Sequence, residues 1–260
     1  MNQQSQRYSR QILFAGIGKE GQKKLANAHV VLLGCGALGS IQAEILARAG
    51  VGRLTLLDRD ILEASNLQRQ LLYSEKQAEQ GLPKVIAAKQ RLQEINSEVE
   101  VDSVIVDIDY KTIEKYVKDA DLILDATDNF EARFLLNDAC IKYQKPWVYG
   151  ACVGSYGLTM TIIPGQTPCL RCLFDTIPTP GTAQTCDTAG VIGPIVTVIA
   201  SMQCAEALKI LVGAMEDLRK GLFTIDLWDN RHLNLGMKKP LPDCPACQKQ
   251  DWSYLAGSEK

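Results

Sequence analysis

The chain has 260 residues, of which 46% are hydrophobic, and a formal net charge of −2. That is enough apolar material for a large core, built as one extended α/β domain or two closely joined lobes, and too little positive charge to support broad nucleic-acid binding. The polar start MNQQSQRYSRQ lacks the apolar segment of a secretory signal, so the nine cysteines argue against an exported disulfide framework, and the two histidines, His29 and His232, leave histidine-centred catalysis few candidates.

The first half alternates strand-like apolar runs with longer helical patterns, which predicts a mostly parallel sheet covered by helices on both faces. Strands are expected at 29–34, 53–58, 99–106 and 121–125, with helices near 19–26, 38–49, 83–95, 111–118 and 130–143. His29 leads into the first strand, where a structural role is expected. The glycine turn Gly34-Cys35-Gly36-Ala37-Leu38-Gly39 comes directly after that strand. Gly34 would permit the tight turn, Gly36 the approach of backbone to a phosphate, and Gly39 close helix packing, while the helix N-terminus favours an anion. Asp58 closes the second strand at the distance expected of a carboxylate that binds ribose hydroxyls. Taken alone, this unit most often means a nicotinamide-dependent oxidoreductase.

The polar groups beyond Asp58 shift the expectation away from that class. Ser65-Asn66-Leu67-Gln68-Arg69-Gln70 is succeeded by Pro83-Lys84 at a helix start, and the strand 121–125 ends in Asp125-Ala126-Thr127-Asp128-Asn129. Hydride transfer has no special need for such groups. Arg69 and Lys84 could hold a triphosphate and Asp128 its magnesium, because phosphoryl chemistry depends on positioning and charge neutralisation. Singly, each could be a solvated surface charge; together, they fall after strand ends, where open α/β sheets bind ligands.

The second half changes character. Segments 146–152, 156–163 and 222–228 are rich in β-branched and aromatic residues without long intervening helices, which predicts an antiparallel extension of the sheet. Cys169/Cys172 and Cys244/Cys247 form two Cys-x-x-Cys pairs with the local spacing of a structural tetrahedral zinc site; a redox pair is the alternative. Asp175 to Asp187 reads as an exposed, mobile loop, at whose end Cys186 precedes a long helix beginning near Ile192, a terminus that could lower a thiol pKa. The apolar run Val191 to Met215 is interrupted by Gln203, Glu206 and Lys209, which suits a buried helix in a soluble cytoplasmic protein better than a membrane span. Cys35, Cys140, Cys152 and Cys204 lie in apolar settings and are expected to be small buried hydrophobes.

Several of these motifs, in this order, resemble the ThiF/MoeB/HesA adenylyltransferases, bacterial relatives of the ubiquitin-activating enzymes. The resemblance runs from Arg7-Tyr8-Ser9-Arg10-Gln11-Ile12 through Ser65–Gln70, Thr127-Asp128-Asn129 and Cys186-Asp187-Thr188-Ala189-Gly190-Val191 to the last cysteine pair. It implies one adenylation domain over 1–260, with a nucleotide-binding part (1–145) and a carrier-binding, zinc-containing part (146–260). It also implies adenylation of the C-terminal glycine carboxylate of a ubiquitin-like sulfur carrier ending in Gly-Gly, ThiS-like for thiamine or MoaD-like for molybdopterin synthesis. The MgATP site would comprise Gly36, Ala37, Asp58, Asn66, Arg69, Lys84, Asp128 and Asn129, with Gly34, Gly39 and Ser65 shaping it. Arg69 and Lys84 would stabilise the phosphates and departing pyrophosphate; Asp128 would hold magnesium rather than act as a base. Ala37 stands where many relatives have glycine, but its backbone N–H remains available. Arg10 would reach the ATP of the neighbouring subunit in a homodimer, and Cys186 is the candidate for covalent chemistry with the activated carrier. With no rhodanese extension, a separate sulfur donor is expected. The competing classes are the oxidoreductase and a catalytically silent adaptor of the same fold.

Overall fold

The computed structural model describes residues 6–179 and 186–257, and of Cys186 and Asp187 the backbone alone. Eight strands form one sheet in the order β3-β2-β1-β4-β5-β6-β7-β8: β1 (His29–Leu33), β2 (Arg53–Asp58), β3 (Glu100–Ile105), β4 (Leu122–Asp125), β5 (Trp147–Val153), β6 (Tyr156–Ile162), β7 (Leu222–Asp226) and β8 (Arg231–Leu235). The first five run parallel and the last three continue antiparallel from β5. The segment expected to begin the antiparallel extension therefore joins both modes: Ile123 is in register with Trp147 in the parallel sense, while Tyr149 faces Met160 in the antiparallel sense. Strand β8 lies outside the expected set. Its five residues are all exposed, so the buried alternation that announces a strand is missing.

Helices cover both faces because alternate strand residues are apolar on both. On one face Leu32, Leu54 and Leu56 pack with Leu46 of the helix Ala37–Ala49 and Leu92 of the helix Lys84–Ile95. On the other Val31, Leu57, Ile123 and Trp147 pack with Phe134 and Leu136 of the helix Phe130–Lys142. A third cluster joins Leu38 and Ile41 to Ile195 and Ile199 of the helix Gly193–Val212. That last helix is long and apolar enough to cross a membrane by length and composition, yet Gln203 and Glu206 are buried in it. Gln203 donates to the carbonyls of Asp125 (2.8 Å) and Val148 (3.0 Å), and Glu206 accepts from the Thr161 hydroxyl (2.9 Å) and the Arg219 amide (2.8 Å). Buried polar groups so satisfied tie the helix to β4, β5 and β6.

Candidate active site

Sheet order reverses at β1, whose neighbours β2 and β4 leave a crevice at their carboxyl ends, the usual ligand position in such folds. The glycine turn occupies it. Gly34 has φ +99°, and a Cβ there would lie 2.6 Å from the Ala126 carbonyl oxygen; a Cβ on Gly39 would lie 2.1 Å from the Gly34 oxygen. These two glycines let the turn press against Ala126, just after β4, and the helix against the turn. Gly36 differs: among the described residues, the only heavy atom within 4 Å of a Cβ built there is Gln70 Nε2, at 3.8 Å. It caps the helix Ala37–Ala49 with no side-chain bond to the first-turn amides, so the N–H groups of Ala37 and its neighbours are available to an anion.

Asp58 is half-buried beside this turn. Its carboxylate accepts from the amides of Cys35 (2.6 Å) and Asp60 (2.8 Å). Burial raises its pKa, and those two amides with Lys84 oppose the rise. Lys84 is buried, and its Nζ donates to Asp60 Oδ2 at 2.7 Å. Asp60, Ile61, Glu63, Asn66 and Lys84 line a cavity of about 230 Å³. Asn66 Oδ1 accepts the Glu63 amide (3.1 Å), the exposed Ser65 hydroxyl bonds Glu63 (3.3 Å), and half-buried Arg69 donates to the Ser65 carbonyl (2.9 Å). The motif is thus a self-bonded turn that leaves much of the Arg69 fork for other acceptors.

After β4, Asp128 and Asn129 are exposed. Asn129 Oδ1 accepts the Ala132 amide (2.8 Å) and its Nδ2 donates to Asp128 Oδ1 (3.2 Å). It is a helix cap that steadies Asp128, a use beyond the one expected from the sequence. Arg133 is absent from the expected site altogether. Its Nε lies 3.4 Å from Asp125 Oδ2, both groups being buried, and its Nη2 donates to the Thr127 carbonyl at 2.6 Å. Burial raises the Asp125 pKa while Arg133 and Thr127 pull it back. A lone arginine among the apolar residues of Phe130–Lys142 is the one sequence signal that could have found it.

The four paired cysteines converge although the pairs are far apart in sequence. Their sulfurs all lie within 4.8 Å of one another, with Cys169–Cys172 at 3.9 Å, Cys169–Cys244 at 3.5 Å and Cys172–Cys247 at 3.6 Å. A tetrahedron with Zn–S of about 2.3 Å has sulfurs about 3.8 Å apart, close to these three spacings, so the donor set suits zinc. Between Cys169 and Cys172, Arg171 pairs with buried Asp138 (3.3 Å) and with Asp251 (3.2 Å). Burial pushes the Asp138 carboxyl up to about 6 against the pull of Arg171.

Two expected site residues stand apart. Arg10 is exposed on the short helix Ser9–Leu13. The adjoining Tyr8 packs where Gly50 ends the helix Ala37–Ala49 and accepts from Asn96 (2.8 Å), which puts the arm one helix length, about 20 Å, from its own Gly36. Cys186 opens a four-residue helix, Cys186–Ala189, and not the long one, which starts at Gly193; its side chain, like 180–185 of the expected loop, lies outside the described residues. Of the cysteines expected to be buried, Cys35, Cys140 and Cys204 are, and burial pushes the Cys35 thiol up to about 12; Cys152 is half-buried.

A family model described as the ThiF family matches residues 8–246. A sulfur carrier protein ThiS adenylyltransferase from Bacillus subtilis is 49% identical over 251 residues, covering 96% of this chain and 74% of that protein. The adenylyltransferase and sulfurtransferase MOCS3 of Culex quinquefasciatus is 39% identical over 95% of this chain, which spans 56% of its length. Among solved structures, E. coli MccB with ATP is similar at a TM-score of 0.80 and 28% identity, covering 93% of this chain and 74% of that one.

Proposed function

This chain belongs to the ThiF family and is an ATP-binding adenylyltransferase, and from that premise we propose that it adenylates the C-terminal glycine carboxylate of a ubiquitin-like sulfur carrier, ThiS-like or MoaD-like. A carrier carboxylate oxygen attacks the α-phosphorus, the bond from that phosphorus to the bridging oxygen breaks, and the electron pair leaves on pyrophosphate. The observation that carries the site assignment is the junction at Asp58, whose carboxylate takes the Cys35 amide of the glycine turn at 2.6 Å and feels the charge of Lys84. One short segment thereby joins the phosphate-binding turn, a ribose acceptor and a cation.

In this site the Gly36–Ala37 amides take a phosphate, Asp58 the ribose, and Lys84 and Arg69 the phosphate chain, with Ser65, Asn66 and Asn129 holding the turns that present them. Asp58, Asp60, Glu63 and Asp128 outnumber Arg69 and Lys84, so a polyphosphate would be repelled without an added cation. Exposed Asp128 is our choice to bind magnesium, which would neutralise the chain. The four cysteines would hold a structural zinc that closes the 146–260 part on itself, and reduced thiolates of that kind suit a cytoplasmic protein. Arg10, remote from its own glycine turn, would serve the ATP of a second copy in a homodimer. Cys186 would take the activated acyl group, a step separate from adenylation. ATP–pyrophosphate exchange with ThiS-like and MoaD-like carriers ending in Gly-Gly tests the assignment. Exchange with one carrier names the pathway, and exchange equally fast without any carrier contradicts the substrate.

A further inference from the structure

Lys84 is 8% exposed, and among the described residues its ammonium makes a single ion pair, with Asp60 Oδ2 at 2.7 Å, Asp58 acting on it at longer range. The same two residues are joined again through the backbone, Lys84 N–H donating to the Asp60 carbonyl at 2.9 Å beside the bridge between Ile61 and Pro83. Both line the 230 Å³ cavity with Glu63 and Asn66. The other Asp60 oxygen lies 3.8 Å from Arg59 Nε, and Arg59 turns outward to Asp107, so the close contact of the Asp60 carboxylate is the one to Lys84. An ammonium carries three N–H donors. One is spent on Asp60, and the other two are left on a stem that burial keeps from wandering.

We infer that Asp60 is a positioning residue: it fixes the Lys84 ammonium at the cavity so that its remaining N–H groups meet the phosphate chain. The inference rests on the cavity taking MgATP, as proposed above. Without Asp60, a nearly buried ammonium loses its charge partner and leaves the cavity for solvent. The favourable effect of Asp60 on binding passes through Lys84, and that distinguishes it from a carboxylate that binds metal or merely braces the turn.

The test is a double-mutant cycle read by calorimetric binding of the magnesium complex of a non-hydrolysable ATP analogue, with exchange kinetics alongside. Asp60→Ala is expected to weaken binding about tenfold and to lower kcat, while Asp60→Asn, which keeps an acceptor for the ammonium, recovers part of both. Combined with Lys84→Ala, Asp60→Ala is expected to add less than a twofold further loss in binding. An undiminished loss in the Lys84→Ala background, no loss in the Lys84 background, or tighter binding by Asp60→Ala would each overturn the role. Failure of the unsubstituted protein to bind the analogue would instead reject the MgATP assignment beneath it.

Discussion

The glycine-turn half and the cysteine-bound half position their groups by different means. In the first, backbone does the placing: Gly34 brings the turn against Ala126 just after β4, Gly39 brings the helix against the turn, and Gly36 leaves amides open. In the second, side chains from remote segments do it, with Cys169/Cys172 facing Cys244/Cys247 and Arg171 linking Asp138 to Asp251. A backbone cradle survives the loss of a side chain but not a methyl added where Gly34 or Gly39 makes its contacts; a cluster of converging side chains has the opposite tolerance.

The largest effect expected from that contrast is in the cross-linked half. Cys172→Ser, or exhaustive chelation, should release bound metal and lower Tm by about 10 °C or more, since metal binding of this kind contributes directly to folding. Metal content and a thermal melt on the same sample check it; a stable, metal-free protein that forms a reversible Cys169–Cys172 disulfide would restore the redox alternative.

Next comes the cradle. Gly39→Ala places a Cβ 2.1 Å from the Gly34 oxygen and should cost about 3–5 kcal/mol in urea unfolding, more than the ~1 kcal/mol an alanine gains in a helix. Among the described residues Gly36→Ala meets only Gln70 Nε2 at 3.8 Å, so stability should change by less than about 1 kcal/mol while nucleotide affinity falls. Equal stability losses at both positions would erase the distinction between a packing glycine and a phosphate-facing one.

Arg133→Met should destabilise by about 3 kcal/mol, because it leaves buried Asp125 without its cation, and Asp125→Asn in the same chain should recover part of that loss. The smallest effect concerns pH. Because burial raises the Asp58 pKa, its carboxylate takes up a proton at a higher pH than an ordinary aspartate, and the protonated form is the poorer ribose acceptor. Affinity for the ATP analogue should therefore fall a few-fold on acidification, beginning above the ordinary aspartate value of about 3.9, and Asp58→Asn should remove that component of the slope.

Apolar and β-branched runs are enough for β1 to β7 and their covering helices because each buries at least part of its length. Sequence reading fails for β8, whose residues are all exposed, and for the four-residue helix Cys186–Ala189 at the end of the stretch read as a loop, although the start of the long helix near Ile192 is legible and Ile192 caps Gly193–Val212. The glycine turn, Asp58 and the cysteine pairs are legible because their spacing is local. Asp60 on Lys84 and Arg133 on Asp125 are not, since ion pairing between side chains on different elements leaves no periodic mark.

Adenylation itself is tested most directly by incubating the protein with MgATP and a Gly-Gly carrier, trapping with hydroxylamine, and analysing intact carrier and free nucleotide by mass spectrometry. Release of AMP and pyrophosphate with a hydroxamate on the carrier's terminal glycine is the expected result. Release of ADP and phosphate, or an unmodified carrier tail, would contradict carboxylate adenylation at this site.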